Sequence, residues 1–434
     1  MPSAGEEATG DLGASRAKKS CLSKEKCERG PKGKICSKRS REEAKFPRSL
    51  KDIVKAFHQS YEQIVSVSLE RYYKEELPGL EYCLKRDSQM FDYTIRGGQC
   101  FRGVLVVSAT LELLGQKGIY PTKTRMQQIM CVAWALEVLQ AAFLVADDIM
   151  DESHTRRGKA CWHKVDHVHA YNDVFKLEHF AFYLLKSHLD KKDFVAIQEI
   201  FRGIILKTTF GQGLDLEYSS QIKSFSVNWD AQLVRKRLSM ESYLKIVAYK
   251  TSYYTFHLPL NAALCLAENT IDKKKKTFQN STGRKCTLSE NKEEENEFDQ
   301  KTWISRIGLE LGQYFQVQDD FLDVYGNPKQ TGKIGTDIEQ KKLTWLMATA
   351  VAKADSKTLK ELFAPSEDYV ASVKDIFKKL ELRKEYLRYE SNICKQIRGW
   401  VDKAESVLPS KTILVILEKI HSSRIKKEDT EKEE

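Results

Sequence analysis

The stretch FLVADDIMDESHTRRGKACWHK, from Phe143 to Lys164, decides how this chain is read. If the apolar run Ala141 to Ala146 continues as helix, a turn of 100° per residue brings Asp147 and Asp151 to nearly one face. Two carboxylates then project side by side, with Asp148 between them in sequence. Like charges at that spacing repel on a solvated helix, so a pair at the end of an apolar helix needs a cation or another partner. Oxygen ligands of this kind suit Mg²⁺, which keeps several waters and completes its shell from substrate phosphates. Arg156 and Arg157 follow directly, two guanidiniums able to grip phosphate in a bidentate way.

A second copy of this chemistry lies far downstream in FQVQDDFLDVYGNPKQTGKIGTD, which begins at Phe315. Asp319 and Asp323 repeat the four-residue offset with Asp320 between them, and Lys333 and Asp337 follow around a glycine-rich loop. A lone DxxxD on a helix is usually a solvated face. Two copies, each preceded by an apolar helix and followed by basic residues, predict facing acidic helices that clamp magnesium around one diphosphate.

With these two motifs the chain resembles the all-trans isoprenyl diphosphate synthases of the farnesyl type, from about Leu50 to about Lys419. The resemblance implies an isoprenoid-synthase bundle with a central prenyl-chain cavity, Mg²⁺ as cofactor (three ions with bound diphosphate) and a homodimer. It also implies the reaction: an allylic prenyl diphosphate ionises and its cation is attacked by isopentenyl diphosphate. By the same resemblance Asp147, Asp151 and Asp319 are the principal metal ligands, and Asp148, Asp320 and Asp323 complete the motifs. Arg156, Lys250, Lys333 and Lys342 match contacts to the allylic diphosphate, and Thr251 and Gln316 match neighbours that orient it. Asp147, Asp148, Asp151, Lys250 and Lys333 are thereby the candidate catalytic set.

The acceptor half departs from the family pattern. Where the family reads glycine, glycine, lysine, any, asparagine, arginine, glycine, this chain has Gly97, Gly98, Gln99, Cys100, Phe101, Arg102, Gly103. A neutral amide replaces a cation, and a large apolar ring replaces a small polar group. Gln99, Arg102, Gln140 and Arg157 are the expected isopentenyl diphosphate set, the last three retained. The basic triplet that ends farnesyl synthases is here Ser422, Ser423, Arg424 and Ile425. In the tail pocket, Phe143 keeps one of two aromatics that commonly precede the first aspartate, and Ala142 replaces the other. A missing ring opens space for chains longer than farnesyl, unless a bulky neighbour fills it.

Length and composition bound the rest. The 434 residues are 41% hydrophobic, enough for one large core, with a net charge of +10 spread along the chain. That spread argues against a nucleic-acid partner. No apolar run reads as long enough to span a bilayer. The ten cysteines form no CxxC pair, as expected of reduced thiols in an intracellular protein. Residues 1–46 are rich in Lys, Arg, Ser, Gly and Glu and read as a disordered basic arm. Glu6, Glu7 and Asp11 argue against a mitochondrial presequence, so the cytoplasm is the expected compartment. Cys21, Cys27 and Cys36 in this arm fit no standard zinc spacing.

Order is expected from Ser49, an N-cap with Asp52 three residues on, followed by Leu50, Ile53, Val54, Phe57, Tyr61 and Ile64 at helical spacing. One amphipathic helix then follows another, and nothing alternates with period two long enough to predict a sheet. The fold class is all-α, one large helical bundle over residues 47–425. Gln212 and Asp215 fall on a core helix where buried polar groups need partners, and Pro259 is expected to close the helix carrying Lys250 and Thr251. Residues 269–300, with KKKK and then NKEEENE, read as a polar surface insertion, and 426–434 as a disordered charged tail.

Three other readings compete. A terpene synthase built on the same scaffold would ionise a prenyl diphosphate and quench the cation by water, proton loss or cyclisation. A catalytically silent partner of a synthase is opposed by two intact aspartate motifs. The run from Gly326 to Lys333 looks like a nucleotide phosphate loop, but has one residue too many before its second glycine and no Ser or Thr after the lysine.

Overall fold

The computed structural model describes residues 49–225, 229–282, 299–331 and 335–427, all within one compact unit, Pro47–Glu434. The basic arm, the three cysteines in it, Lys333, the acidic end of the insertion and residues 428–434 lie outside the described residues.

Helix formation starts where capping chemistry dictates. The Ser49 hydroxyl accepts from the Asp52 amide at 3.1 Å and donates to the Asp52 carboxylate at 2.7 Å, opening α1 (Leu50–Gln59). A π-helical turn leads into α2 (Val67–Glu76), then α3 (Leu84–Ile95) and α4 (Phe101–Gln116). Cys100 enters α4 in the left-handed region and gives it no side-chain cap. The cap comes instead from Glu137, whose carboxylate accepts from the Gly103 amide at 2.7 Å.

Glu137 belongs to α5 (Lys123–Met150), the central helix, which packs along α4 and α7. Contrary to the sequence reading, α5 is long and apolar enough to cross a membrane, with a mean hydropathy of 2.0 over its most apolar window. That window is 83% buried inside the bundle, so its apolarity serves the core. Trp134 of α5 stacks on Phe57 at 4.1 Å, meets Tyr61 edge-on at 5.0 Å, and donates its indole N–H to Ser60 at 2.9 Å.

After α5 the chain makes a small hairpin that periodicity did not predict, β1 (Thr155–Arg156) against β2 (Lys159–Ala160). Its two turn residues, Arg157 at φ +54° and Gly158 at φ +73°, both take the left-handed conformation that tight hairpins require. Helices resume with α6 (Trp162–Val165), α7 (Ala170–His188), α8 (Lys191–Phe225), α9 (Ala231–Arg237) and α10 (Met240–Val247). Next comes a π-helical segment, Ala248–His257, running straight into α11 (Leu258–Thr282). Pro259 therefore does not close this helix. The widened π turns precede it and absorb the hydrogen bond that proline cannot donate.

The expected insertion is also partly helical. Asn269 and Thr270 are buried on α11, because Asn269 donates to Asp193 at 2.8 Å and the Thr270 hydroxyl accepts from Arg125 at 2.7 Å. Polar partners on neighbouring helices extend α11 beyond its apolar pattern. The remaining helices are α12 (Gln300–Tyr325), α13 (Pro328–Thr331), α14 (Trp345–Lys353), α15 (Ser356–Phe363), α16 (Tyr369–Lys379), α17 (Leu382–Lys403) and α18 (Ser410–Lys427).

His257 ends the π segment with Nδ1 buried and unpartnered, and burial together with Lys207 lowers its pKa from 6.5 to about 4. A folded-state pKa below the unfolded value means the native form binds fewer protons across that window. Unfolding free energy should therefore fall as pH is lowered from about 6.5 to about 4, and His257→Asn should flatten that slope in urea titrations.

Candidate active site

The last turns of α5 do what their spacing predicts. Asp147 and Asp151 face a common group of cations, while Asp148 turns inward and is almost fully buried. Arg156, held in place by the hairpin, meets Asp148 at 2.5 Å and lies 3.5 Å from Asp147. Asp148 thus anchors Arg156 beside Asp147.

Two lysines from distant parts of the chain close the cluster. Lys250, on the π segment, lies 3.1 Å from Asp147 and 2.7 Å from Asp215 of α8. Lys342, in the loop before α14, lies 2.6 Å from Asp151 and 2.8 Å from the same oxygen of Asp215. Gln212, one turn before Asp215, donates to Asp147 at 3.2 Å. Gly211 makes this approach possible, since a Cβ there would come within 2.2 Å of the Lys250 amide nitrogen.

The electrostatics follow from this packing. Burial by itself would push the Asp147 carboxyl up, but Lys250, Arg156 and Lys342 outweigh it and hold it at about 2. Asp151 goes the other way, raised by burial and by the neighbouring charge of Asp147. Burial would lower Lys250, yet Asp147, Asp215 and Asp151 keep it protonated far above neutrality.

The second motif is split. Asp319 and Asp323 are partly exposed on α12, and Asp323 accepts from the Asp337 amide at 3.0 Å, fastening the loop that follows. Asp320, expected as a metal ligand, points into the core instead. Its oxygens accept from Gln316 at 2.8 Å and from the Trp345 amide at 2.8 Å, and burial pushes its pKa up to about 7. A residue adjacent to Asp319 on a helix is rotated by 100°, and here that turns Asp320 into the core. Thr251 and Gln316 are brought together, with the threonine hydroxyl donating to the glutamine oxygen at 2.7 Å.

This arrangement of paired aspartate helices, lysines and arginines on an all-α scaffold has counterparts among known proteins. Residues 85–288 and 276–380 match the family described as polyprenyl synthetase. The chain belongs to that family. Farnesyl pyrophosphate synthase of Zea mays is 34% identical over 343 residues, covering 77% of this chain and 86% of that enzyme. The Homo sapiens farnesyl pyrophosphate synthase is 33% identical over 380 residues, covering 85% of this chain and 80% of its own. Among solved structures, farnesyl diphosphate synthase of T. brucei complexed with minodronate superposes with a TM-score of 0.70 at 26% identity, over 87% of this chain and 100% of that one. The protein is a prenyltransferase of the farnesyl pyrophosphate synthase type.

In this family member one of the residues expected at the acceptor side, Arg157, lines a cavity beside the hairpin. That cavity, of 140 Å³, includes Arg96, Asp148, Arg156, Arg157 and Lys159 in its lining, but not Gln99, Arg102 or Gln140. Arg102 is buried between the rings of Phe101, 4.6 Å away, and Tyr254, 4.7 Å away, and donates to Tyr254 and Thr255. Gln140 is buried with its side-chain oxygen unpartnered, and Gln99 is exposed. The Phe101 ring packs with Phe256 at 5.6 Å and Phe315 at 5.7 Å and offers Arg102 a π face. On the tail side, Ala142 is buried and Phe143 meets Tyr254 edge-on at 5.2 Å.

Asp215 is the residue sequence reasoning noticed without assigning a role. Its signal was an acid on an otherwise apolar helix, which has to be paired. Removing it would leave Lys250 and Lys342 side by side with only Asp147 and Asp151 as counter-ions. Asp215→Ala should cost about 1–3 kcal/mol of unfolding free energy in urea titrations.

Proposed function

We propose that this protein is a Mg²⁺-dependent synthase that ionises an allylic prenyl diphosphate and condenses it with isopentenyl diphosphate to farnesyl diphosphate or a longer chain. The observation that carries this reading is the convergence of Lys250, Lys342 and Arg156 on Asp147 and Asp151 at the end of α5. Heterolysis of the carbon–oxygen bond leaves negative charge on diphosphate, which those three cations would stabilise. Their carboxylate partners keep them protonated and oriented before substrate arrives.

The donor set fits the proposed ion. Among the described residues no three His, Cys, Asp or Glu side chains gather closely enough to hold a metal by themselves. Mg²⁺ is typically held by one or two carboxylates with the remaining ligands from water and substrate phosphate. Asp147 and Asp151 from α5, with Asp319 and Asp323 from α12, would hold it, and it would supply Lewis acidity to the departing diphosphate. Asp320 and Asp148 support Gln316 and Arg156 from behind. The homodimer expected from the family would bury exposed apolar side chains such as Phe175, Leu206 and Phe210 on α7 and α8.

A second reading has its own observation. Gln99 offers no charge and Arg102 is engaged between two rings, which favours a terpene synthase acting on a ready-made prenyl diphosphate. Purified protein given allylic diphosphates with and without isopentenyl diphosphate separates the two. Elongation only when isopentenyl diphosphate is present is expected, and a hydrocarbon or alcohol from the allylic substrate alone would decide for the terpene synthase. Either activity should be lost on chelating Mg²⁺ and fall by about 10²-fold or more in Asp147→Ala. Ala142→Phe should shift the product profile toward shorter chains, as read by chromatography of the dephosphorylated products.

A further inference from the structure

The cavity beside the hairpin holds more positive charge than the donor side of the site uses. Thr155 pairs with Ala160 and Arg156 with Lys159, and directly opposed residues of an antiparallel pair project from the same face. The two-residue turn therefore sets Lys159 beside Arg156, both lining the 140 Å³ cavity with Arg157 between them in sequence. Tyr93 fixes the hairpin there by donating to the Ala160 carbonyl at 2.8 Å.

These cations are not equally committed. Arg156 is taken by Asp148, the one carboxylate lining the cavity, and Arg96 lies over the Tyr61 ring at 4.6 Å with Asp92 at 3.7 Å. Arg157 rests on Gly98, where a Cβ would come within 2.7 Å of its guanidinium, and donates to the carbonyls of Thr94 and Ile95. Lys159 stands 5.6 Å from the Tyr93 ring and has no carboxylate partner among the described residues. Apolar walls from Leu144, Val145 and Trp162 complete the cavity. Two cations without carboxylate partners above apolar walls fit a short prenyl diphosphate better than water or a neutral ligand.

We propose that Lys159 binds the diphosphate of the acceptor, isopentenyl diphosphate, supplying from the hairpin the positive charge that Gln99 lacks. The inference rests on the condensation reading above and adds a specificity residue to it. Arg157 is held by backbone carbonyls, and Lys159 adds a point charge on a flexible stem.

Calorimetric titration of isopentenyl diphosphate tests this, with Mg²⁺ present and the donor site filled by an allylic thiolodiphosphate that resists ionisation. Lys159→Gln should weaken acceptor binding by about tenfold or more, the usual loss of one charge-assisted contact. Lys159→Arg should bind nearly as the parent does. Binding of the thiolodiphosphate itself should be unaffected, which separates a specific contact from a disturbed fold. Parental acceptor affinity in Lys159→Gln would overturn the assignment of Lys159 and leave the condensation reading standing. Failure of the parent protein to bind isopentenyl diphosphate at all would overturn both.

Discussion

The alternating chain Asp147, Lys250, Asp215, Lys342, Asp151 is the constraint on which the site depends. Its five side chains come from α5, the π segment, α8 and the loop before α14, so four separate parts of the bundle must be in register for every charge to be paired. A buried ion pair contributes little net stability over apolar packing, whereas a broken one is expensive. The network therefore acts chiefly on position. It holds two lysines and three carboxylates in a partly buried cluster where an unpaired charge would be costly.

Close helix approach makes the network geometrically attainable. Gly211 of α8 and Gly312 of α12 lie against opposite sides of the π segment, and a Cβ at Gly312 would come within 2.4 Å of the Ser252 Cα. The segment so enclosed carries Lys250 and Thr251, and its π turns lead into Pro259 without a break in the helix. Local irregularity, small residues and buried charge thus coincide on one stretch. Such coincidence is expected where a fold gives up regularity to place side chains for chemistry.

The donor and acceptor halves of the site are built differently. On the donor side, cations and carboxylates from well-separated helices interlock. On the acceptor side, Phe101 joins Phe256 and Phe315 in an aromatic group and stacks with Arg102, while the cavity's cations come from the hairpin and from Arg96 at the end of α3. A guanidinium finds in a ring face a partner that costs it little hydration.

Much of this was legible before any coordinates. The helical spacing of Asp147 and Asp151, the capping pair Ser49 and Asp52, and the apolar periodicity of one helix after another are local, and local rules govern them. The sequence by itself determined an all-α bundle and named both aspartate motifs, since repeat period and residue chemistry are written along the chain. It misjudged Asn269, where a partner on another helix overrides local preference, and Pro259 and the hairpin after α5, where unusual local backbone does. Only the tertiary structure decided that Asp320 faces the core, that Asp215 is the shared counter-ion of two lysines, and that Lys159 rather than Gln99 lines the cavity. Those outcomes depend on which neighbours can pair with a buried charge, and that is fixed by packing between segments far apart in the chain.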